Sequence, residues 1–163
     1  MAQHFTLKST DGQSFYVIGD KITFKLTPDD TNGAYFAAEV LSEPGGGPWF
    51  LHTHEPQETF HVLEGVFEVY GQDANGEKYA IRAEVGDTVQ VPGNTPHGFK
   101  NVGDTQGRML LVYEPAEPMY QFFQEVGIPM SKGQTLSELA DSLDMDKTMT
   151  ILKKYMTFVE MPE

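Results

Sequence analysis

The sequence predicts a mainly β protein, an antiparallel barrel or sandwich with a helical C-terminal tail. Short segments in which polar and apolar residues alternate run from Lys21 to about Tyr113, and Gly, Asn, Asp or Pro bounds each one. No helical repeat separates these segments, so about eight to ten antiparallel strands are expected. After Pro115 the apolar residues change to helical spacing, which marks the start of the tail.

The strand signals follow one another in a regular order. KITFKLT, residues 21–27, alternates and predicts a strand with one buried face, and AYFAAEVL, residues 34–41, follows a turn rich in Asp, Asn and Gly. The later strand segments are WFLHTH, ETFHVLEG, VFEVYG, KYAIRA, DTVQVP, HGFKNV and RMLLVYEP. We therefore expect residues 1–115 to form one β domain.

Residues 116–163 are predicted to be a helical extension that packs on the β domain or on a second subunit. Four apolar residues at helical spacing predict a first helix, namely Met119, Phe122, Phe123 and Val126. Thr135 and Glu138 resemble a capping box for a second helix. A last helix would have one apolar face, formed by Met149, Leu152, Met156 and Val159.

Composition narrows the classes of partner. A chain of 163 residues suits one domain, and its formal net charge of -13 argues against nucleic acid and against an anionic membrane surface. The absence of cysteine excludes disulfides, thiolate metal sites and a catalytic thiol. The N-terminal segment lacks a signal-peptide pattern and no apolar stretch is long enough to span a membrane, so a cytoplasmic protein is expected. A small molecule is the expected partner.

The segment HTHEPQE places three ligand-type side chains in a hydrophobic, strand-like region. Alternate strand residues share a face, so His52 and His54 point the same way as Phe50. On the next strand Glu58 shares its face with apolar residues, whereas His61 lies on the other face. Burying unpaired imidazole and carboxylate groups costs several kcal/mol, and a metal ion would satisfy them directly.

A further histidine has a similar environment. His97 follows a turn at residues 92–96 and shares a face with Phe99 and Asn101. Trp49 has the opposite parity to the ligand-type residues of its segment and is interpreted as a packing residue. His97 therefore joins the candidate metal ligands, and Asn101 is interpreted as structural.

These residues occur in two motifs that resemble those of the cupin family. The first motif is a glycine, His-x-His, a glutamate and a glycine, here Gly46, His52, His54, Glu58 and Gly65. The second is a glycine, Pro-x-Gly, a histidine and an asparagine, here Gly86, Pro92, His97 and Asn101. Asn94 replaces the glycine of Pro-x-Gly, and asparagine is the residue other than glycine that best tolerates a left-handed backbone.

The resemblance implies an antiparallel double-stranded β-helix, the jelly-roll barrel of cupins, with its motifs at residues 46–65 and 86–101. It also implies a homodimer and one divalent metal ion, bound by His52, His54, Glu58 and His97. Three imidazoles and one carboxylate suit Fe, Ni, Mn, Co, Cu or Zn, so the metal stays open. An octahedral ion with four protein ligands keeps two positions free, which is a requirement for catalysis.

Residues with barrel-facing parity are predicted to line a substrate pocket. They are Phe50, Phe60, Val62, Phe67, Val89, Val91 and Phe99. Such a wall suits an apolar or aromatic small molecule better than a sugar phosphate, which would need several Lys or Arg side chains near the metal.

The leading hypothesis from the resemblance is a metal-dependent dioxygenase, similar to the quercetin dioxygenase-like cupins, that acts on a hydroxylated aromatic or enolic, flavonol-like substrate. Glu58 would then bind the metal and accept the substrate's hydroxyl proton as a general base. The first alternative is a non-redox isomerase, epimerase or lyase in which the metal polarises a carbonyl. The second is a cupin that binds a small molecule without catalysis.

Overall fold

The computed structural model describes residues 3–159. Its strands are, in chain order, β1 (Ser14–Val17), β2 (Asp20–Leu26), β3 (Phe36–Ser42), β4 (His52–Thr53), β5 (Gln57–Glu64), β6 (Phe67–Gln72), β7 (Lys78–Ala83), β8 (Thr88–Val91), β9 (His97–Asn101), β10 (Gly107–Glu114), β11 (Ile128–Pro129) and β12 (Thr157–Phe158). The helices are α1 (Pro28–Thr31), α2 (Met119–Val126), α3 (Leu136–Leu139) and α4 (Met145–Tyr155), with a 3-10 turn at Ala140–Ser142.

Within this range the strands form two antiparallel sheets. The first sheet has the strand order β11-β1-β2-β3-β10-β5-β8, and the second has the order β12-β4-β9-β6-β7. β10 lies between β3 and β5, so strands far apart in the sequence become neighbours. The predicted class, mainly β with antiparallel pairing and a helical C-terminal part, is confirmed.

The core is built by alternate residues of the strands. Phe36, Phe60, Phe67, Met109 and Leu111 are almost completely buried. Removing each such side chain from water contributes roughly 1.5–3 kcal/mol to folding. Because successive strand residues face opposite ways, the parity that buries this set also turns the ligand-type residues inward.

Two helix signals of the tail are confirmed. α2 spans the predicted residues and ends at Gly127, with its apolar residues buried. α3 begins at the predicted capping box, in which the Thr135 backbone N–H and hydroxyl both donate to the Glu138 carboxylate. Local sequence therefore fixes where both helices begin or end.

The last helix ends earlier than its apolar pattern predicts. α4 ends at Tyr155, so Met156 and Val159 lie beyond it. Thr157 and Phe158 instead form β12, which pairs with β4. The edge of β4 offers free backbone groups, and Thr and Phe favour strands, so sheet pairing replaces further helical turns.

The hairpin between β1 and β2 contains a left-handed β-branched residue. Ile18 and Gly19 join the two strands with φ angles of 48° and 96°, and a positive φ at both positions is what a type I′ turn requires. Glycine adopts this conformation freely, but Ile18 holds it at a cost of about 1–2 kcal/mol. The turn is therefore less stable than it would be with a residue that favours this conformation.

Replacing Ile18 with asparagine is expected to raise the free energy of unfolding by about 1 kcal/mol, because Asn-Gly is the preferred sequence of this turn. Urea denaturation measures the change. Ile18→Ala is the matched control, since alanine keeps the Cβ atom that causes the strain. An Ile18→Asn protein less stable than the wild type would show that packing of Ile18 outweighs its backbone strain.

No helix within residues 3–159 combines the length and the apolar character that a membrane crossing would require.

Candidate metal centre

Neighbouring strands bring the ligand-type residues together. His52 on β4 lies directly opposite His97 on β9, and Glu58 lies on β5 of the other sheet. His54 follows β4 by one residue, and all four side chains are buried. The ring nitrogens of the three histidines that face one another all lie within 4.8 Å.

The backbone fixes the tautomer of each histidine. Nδ1 of His52 lies 2.9 Å from the carbonyl oxygen of Phe50, Nδ1 of His54 2.9 Å from that of Pro56, and Nδ1 of His97 2.8 Å from that of Thr95. A carbonyl oxygen only accepts, so each Nδ1 carries the proton and donates it. In a neutral ring with this tautomer Nε2 carries the lone pair that a metal needs, which is the usual arrangement around a metal-binding histidine.

Three of the inward atoms lie at nearly equal distances from one another. His54 Nε2 and His97 Nε2 are 3.0 Å apart, and each lies 3.1 Å from Glu58 Oε2. Adjacent ligands about 2.1 Å from an octahedral ion are about 3.0 Å apart, whereas a tetrahedral ion would separate them by about 3.4 Å. The spacing of these three atoms is therefore compatible with adjacent positions around a six-coordinate transition metal.

The pKa values of the site favour a bound cation. Burial, with the positive charge of His97 as a smaller cause, lowers the pKa of His52 to about 3, so this imidazole is neutral. Burial opposes ionisation of Glu58, but hydrogen bonds from His54 and His97 outweigh it and lower its pKa. Burial also opposes a charge on His97, yet its bond to Glu58 raises the pKa above the usual range. A metal would displace that proton and supply the positive charge beside Glu58.

Tyr113 belongs to the site although the sequence analysis does not include it. It lies opposite Glu58 in the pairing of β10 with β5, is buried, and donates its hydroxyl hydrogen bond to that carboxylate. Burial and the negative charge of Glu58 raise the pKa of Tyr113 well above its ordinary value. The signal was available, because Met109, Leu111 and Tyr113 alternate along one inward face of RMLLVYEP.

The turn before β9 packs directly on the segment that carries His54. Asn94 has a φ of 58°, so it adopts the left-handed conformation that its place in the motif predicts. Its backbone N–H donates to the carbonyl oxygen of His54 at 2.8 Å. A Cβ atom on Gly93 would lie 2.3 Å from the carbonyl oxygen of Glu55, so only glycine permits this approach.

Two other interpretations agree with the structure. The Asn101 side chain is fully buried, donates to the carbonyl oxygens of Ser42 and Thr105, and accepts from Gly103 N–H, which is a structural role. His61 lies outside the histidine cluster, and its Nδ1 is 2.8 Å from the Thr88 hydroxyl.

A cavity of about 400 Å³ opens beside the ligand-type residues, which form part of its wall. Of the predicted pocket residues, Phe50 and Phe99 line this cavity. Leu111 and the ring of Tyr113 add to its apolar wall. The site is therefore an enclosed polar cluster at one side of a mainly apolar chamber, a typical arrangement for small-molecule sites.

The prediction for five further pocket residues does not hold for this cavity. Phe60, Val62, Phe67, Val89 and Val91 are packed in the core instead of lining it. Parity shows that these side chains point between the sheets, but not how far along the barrel they lie. Where the sheets are close, inward side chains fill the space and leave no room for a ligand.

Residues of the helical tail line the cavity in place of the five core residues. Met119 and Phe122 of α2, Met149 and Leu152 of α4, and Met156 beyond it line the cavity. Methionine is flexible and fits irregular space, so this wall suits an apolar ligand of variable shape.

Trp49 is not the packing residue that its parity predicts. Its side chain is 47% exposed and lies at the rim of the cavity, beside Phe50. The residues before β4 are not in a regular strand, so strand parity does not apply to them.

Asp20 is a buried acid that the sequence analysis also does not include. It lines the cavity, and its Oδ1 atom has no hydrogen-bond partner among the described residues. Burial raises its pKa to about 7, and the nearby Ser42 hydroxyl opposes only part of that rise. The first alternating strand pattern in the sequence begins one residue later, at Lys21, and so does not include Asp20.

The metal-free wild type is expected to lose stability relative to Asp20→Asn as the pH rises from about 4 to 7. Unfolded Asp20 releases its proton near 3.8 and folded Asp20 near 7, so the folded state holds the extra proton across this window. The difference approaches about 4 kcal/mol above pH 7. Urea denaturation at several pH values measures it. The cavity's other titratable residues are common to both proteins, so a difference independent of pH would contradict the prediction.

Residues 38–113 match the family model described as the cupin domain. An RmlC-like cupin from Shewanella frigidimarina NCIMB 400 has a similar fold, with a TM-score of 0.54 and 21% identity over 73% of this chain and 96% of that chain. An oxalate oxidase in complex with the substrate analogue glycolate has a TM-score of 0.57 and 21% identity over 92% of this chain and 79% of that one. The two sheets therefore form a cupin jelly roll.

One curated protein shows a shorter but closer match. The polyketide synthase CurC from Streptomyces cyaneus is 38% identical to this chain over 68 residues. The match covers 41% of this chain and 41% of the length of that protein.

Proposed function

We propose that this protein is a metal-dependent oxygenase, similar to the quercetin dioxygenase-like cupins, that acts on a hydroxylated aromatic or enolic small molecule. The observation that carries the proposal is the position of three buried histidines and Glu58 at the wall of a mainly apolar cavity. A structural metal would need no such chamber, because a closed site has no position for a substrate.

His52, His54 and His97 would hold the ion through Nε2, and Glu58 through a carboxylate oxygen. A bound transition metal supplies Lewis acidity and open positions for a substrate oxygen and for dioxygen. The chain's contribution is to fix four donors in one orientation by hydrogen bonds behind them. Three of those bonds go to backbone carbonyls, which side-chain motion cannot displace.

Glu58 is the proton acceptor of the proposed reaction. It is ionised at neutral pH because hydrogen bonds lower its pKa, but a low pKa also makes it a weak base. A phenolic or enolic hydroxyl polarised by a cation is acidic enough to release its proton to a carboxylate, whereas an alcohol is not. Tyr113 keeps the carboxylate oriented by donating a hydrogen bond from the opposite strand.

The cavity wall supports an aromatic substrate of low charge. Phe50, Phe99, Phe122 and Phe123 line it together with several methionines. Among the described residues, no lysine or arginine lines it, which disfavours substrates with several negative charges. The partial match to a protein named as a polyketide synthase fits this class, since polyketides carry keto and enol oxygens on a carbon skeleton.

Oxygen uptake tests the proposal. Metal-stripped protein would be loaded separately with Fe, Ni, Mn, Co, Cu or Zn and mixed with flavonols and simple catechols. The expected result is oxygen consumption with at least one redox-active metal and one such substrate. No uptake with any metal would refute the oxygenase, and turnover of the same compounds without oxygen would favour an isomerase or lyase.

A further inference from the structure

We propose that Asp20 is a second polar binding point in this cavity, and that it binds a hydroxyl group of the substrate distant from the one that approaches Glu58. The proposal rests on the proposed function for the aromatic hydroxy class of the substrate. It adds that the substrate carries at least two hydroxyl-bearing positions, one recognised at the metal centre and one at Asp20.

The first observation is an unsatisfied carboxyl group. Asp20 is 5% exposed, and its Oδ1 is buried without a hydrogen-bond partner among the described residues. The hydroxyl of Ser42, at the end of the neighbouring strand, is also buried; it lies near enough to Asp20 to lower the pKa of the acid but has no partner at full hydrogen-bond geometry within residues 3–159. Buried polar groups in folded proteins are normally fully paired, so an incompletely paired carboxyl group on a residue that lines a ligand-sized chamber has the capacity to bind a ligand group.

The second observation is the position of this carboxyl group. Asp20 lines the same cavity as His52 and Glu58, and Glu58 is the other acidic residue of its described wall. No lysine or arginine of that wall can neutralise Asp20. The cavity therefore has two separate acidic points in an otherwise mainly apolar lining.

The third observation is that the backbone is adapted to hold Asp20 there. Asp20 follows the left-handed Ile18 and Gly19, and Ile18 also lines the cavity. A Cβ atom on Gly46 would lie 3.0 Å from the carbonyl oxygen of Glu43 and 3.1 Å from Asp20 Oδ1, so glycine at this position lets the loop pack beside the carboxyl group. Residues with a strained backbone, such as Ile18, cluster at functional sites.

The chemistry of the group favours a hydroxyl as its partner. With a pKa of about 7, Asp20 is present near neutral pH both as an acid and as a carboxylate. A hydroxyl can accept from the first form and donate to the second, whereas a ligand anion would be repelled by the ionised form. The apolar surroundings strengthen either hydrogen bond.

Matched flavonols test the proposal on metal-loaded protein without oxygen. 3-hydroxyflavone carries only the hydroxyl beside its keto group, galangin adds hydroxyls on one ring system, and quercetin adds them at both ends. Calorimetry would give the affinity of each for the wild type, Asp20→Ala and Asp20→Asn. Asp104→Asn, at an exposed acid outside the cavity, is the control.

The wild type and the control are expected to bind galangin or quercetin at least about 10-fold more tightly than 3-hydroxyflavone. One additional hydrogen bond in an apolar cavity accounts for an affinity difference of this size. Asp20→Ala should lose this preference while its affinity for 3-hydroxyflavone changes less than about 3-fold. Asp20→Asn retains a polar group of the same shape and should keep part of the preference. It replaces Asp20→Ala in the comparison if the alanine variant does not fold.

A preference that survives in both Asp20 variants would overturn the proposal, and so would a wild type that binds no hydroxylated flavonol more tightly than 3-hydroxyflavone. Oxygen uptake by the same samples separates this result from the proposed function. An Asp20-dependent preference without uptake upholds the binding point and refutes the oxygenase. Oxygen uptake without an Asp20-dependent preference would uphold the oxygenase and refute the binding point.

Discussion

Replacing His52 and His54 together with alanine is expected to abolish metal retention and to leave a folded barrel. The double variant removes two of the three Nε2 donors that face the centre. The loss of metal affinity should therefore exceed the roughly 10–100-fold that follows removal of one residue hydrogen-bonded to a metal ligand. The fold should survive because neither histidine belongs to the hydrophobic core cluster. Elemental analysis and circular dichroism measure the two outcomes.

His61→Ala is the matched control for this experiment. His61 lies on the same strand as Glu58 but outside the histidine cluster, so its loss should leave the metal content unchanged. Full metal occupancy in the double variant would refute the ligand assignment. Loss of metal in His61→Ala as well would show that folding, and not ligation, controls retention.

Replacing Tyr113 with phenylalanine is expected to lower the turnover rate about 10–100-fold while metal stays bound. This is the range found when a residue that hydrogen-bonds to a metal ligand is removed. The Tyr113 hydroxyl is buried opposite Glu58 and donates to its carboxylate, so it helps to hold that carboxylate in one orientation. Without the hydroxyl Glu58 is less well oriented, and turnover should fall across the whole pH range. Oxygen uptake measured across pH, with metal content determined on the same samples, checks both effects.

Tyr16→Phe provides the comparison, because Tyr16 is also a buried strand tyrosine but does not line the cavity. It should leave the turnover rate unaltered across the pH range. A Tyr113→Phe enzyme with the wild-type rate would show that Glu58 needs no support from Tyr113, and the assigned positioning role would then be wrong.

Strand parity was sufficient to predict the centre of the site. His52, Glu58 and His97 lie on strands, so the alternation of side chains could be read directly from the letters. The spacing of the two motifs placed the turn at Asn94, and its left-handed backbone is confirmed. These features depend on a few consecutive residues, which is why a sequence reveals them.

The walls of the cavity could not be predicted in the same way. Phe60 and Phe99 have equivalent parity, yet Phe60 is packed in the core and only Phe99 reaches the cavity. Depth along a barrel depends on how distant strands are staggered, which no local pattern records. The contribution of Met149 and Leu152 depends on where the tail docks, and that follows from tertiary packing.

Asp20 and Tyr113 illustrate a second reason. Each lies on a strand without any motif, and neither residue type signals chemistry by itself. Asp20 becomes informative only through its missing hydrogen-bond partner, and Tyr113 only through its contact with Glu58. The predicted homodimer stays a prediction, as does the identity of the metal.

X-ray absorption spectroscopy of the metal-loaded protein, combined with anomalous diffraction from its crystals, tests the central claim most directly. The account predicts one six-coordinate ion with three imidazole nitrogens and one carboxylate oxygen, from His52, His54, His97 and Glu58, and two positions open to exchange. A closed four-coordinate ion at these residues, or a metal bound elsewhere in the chain, would contradict it.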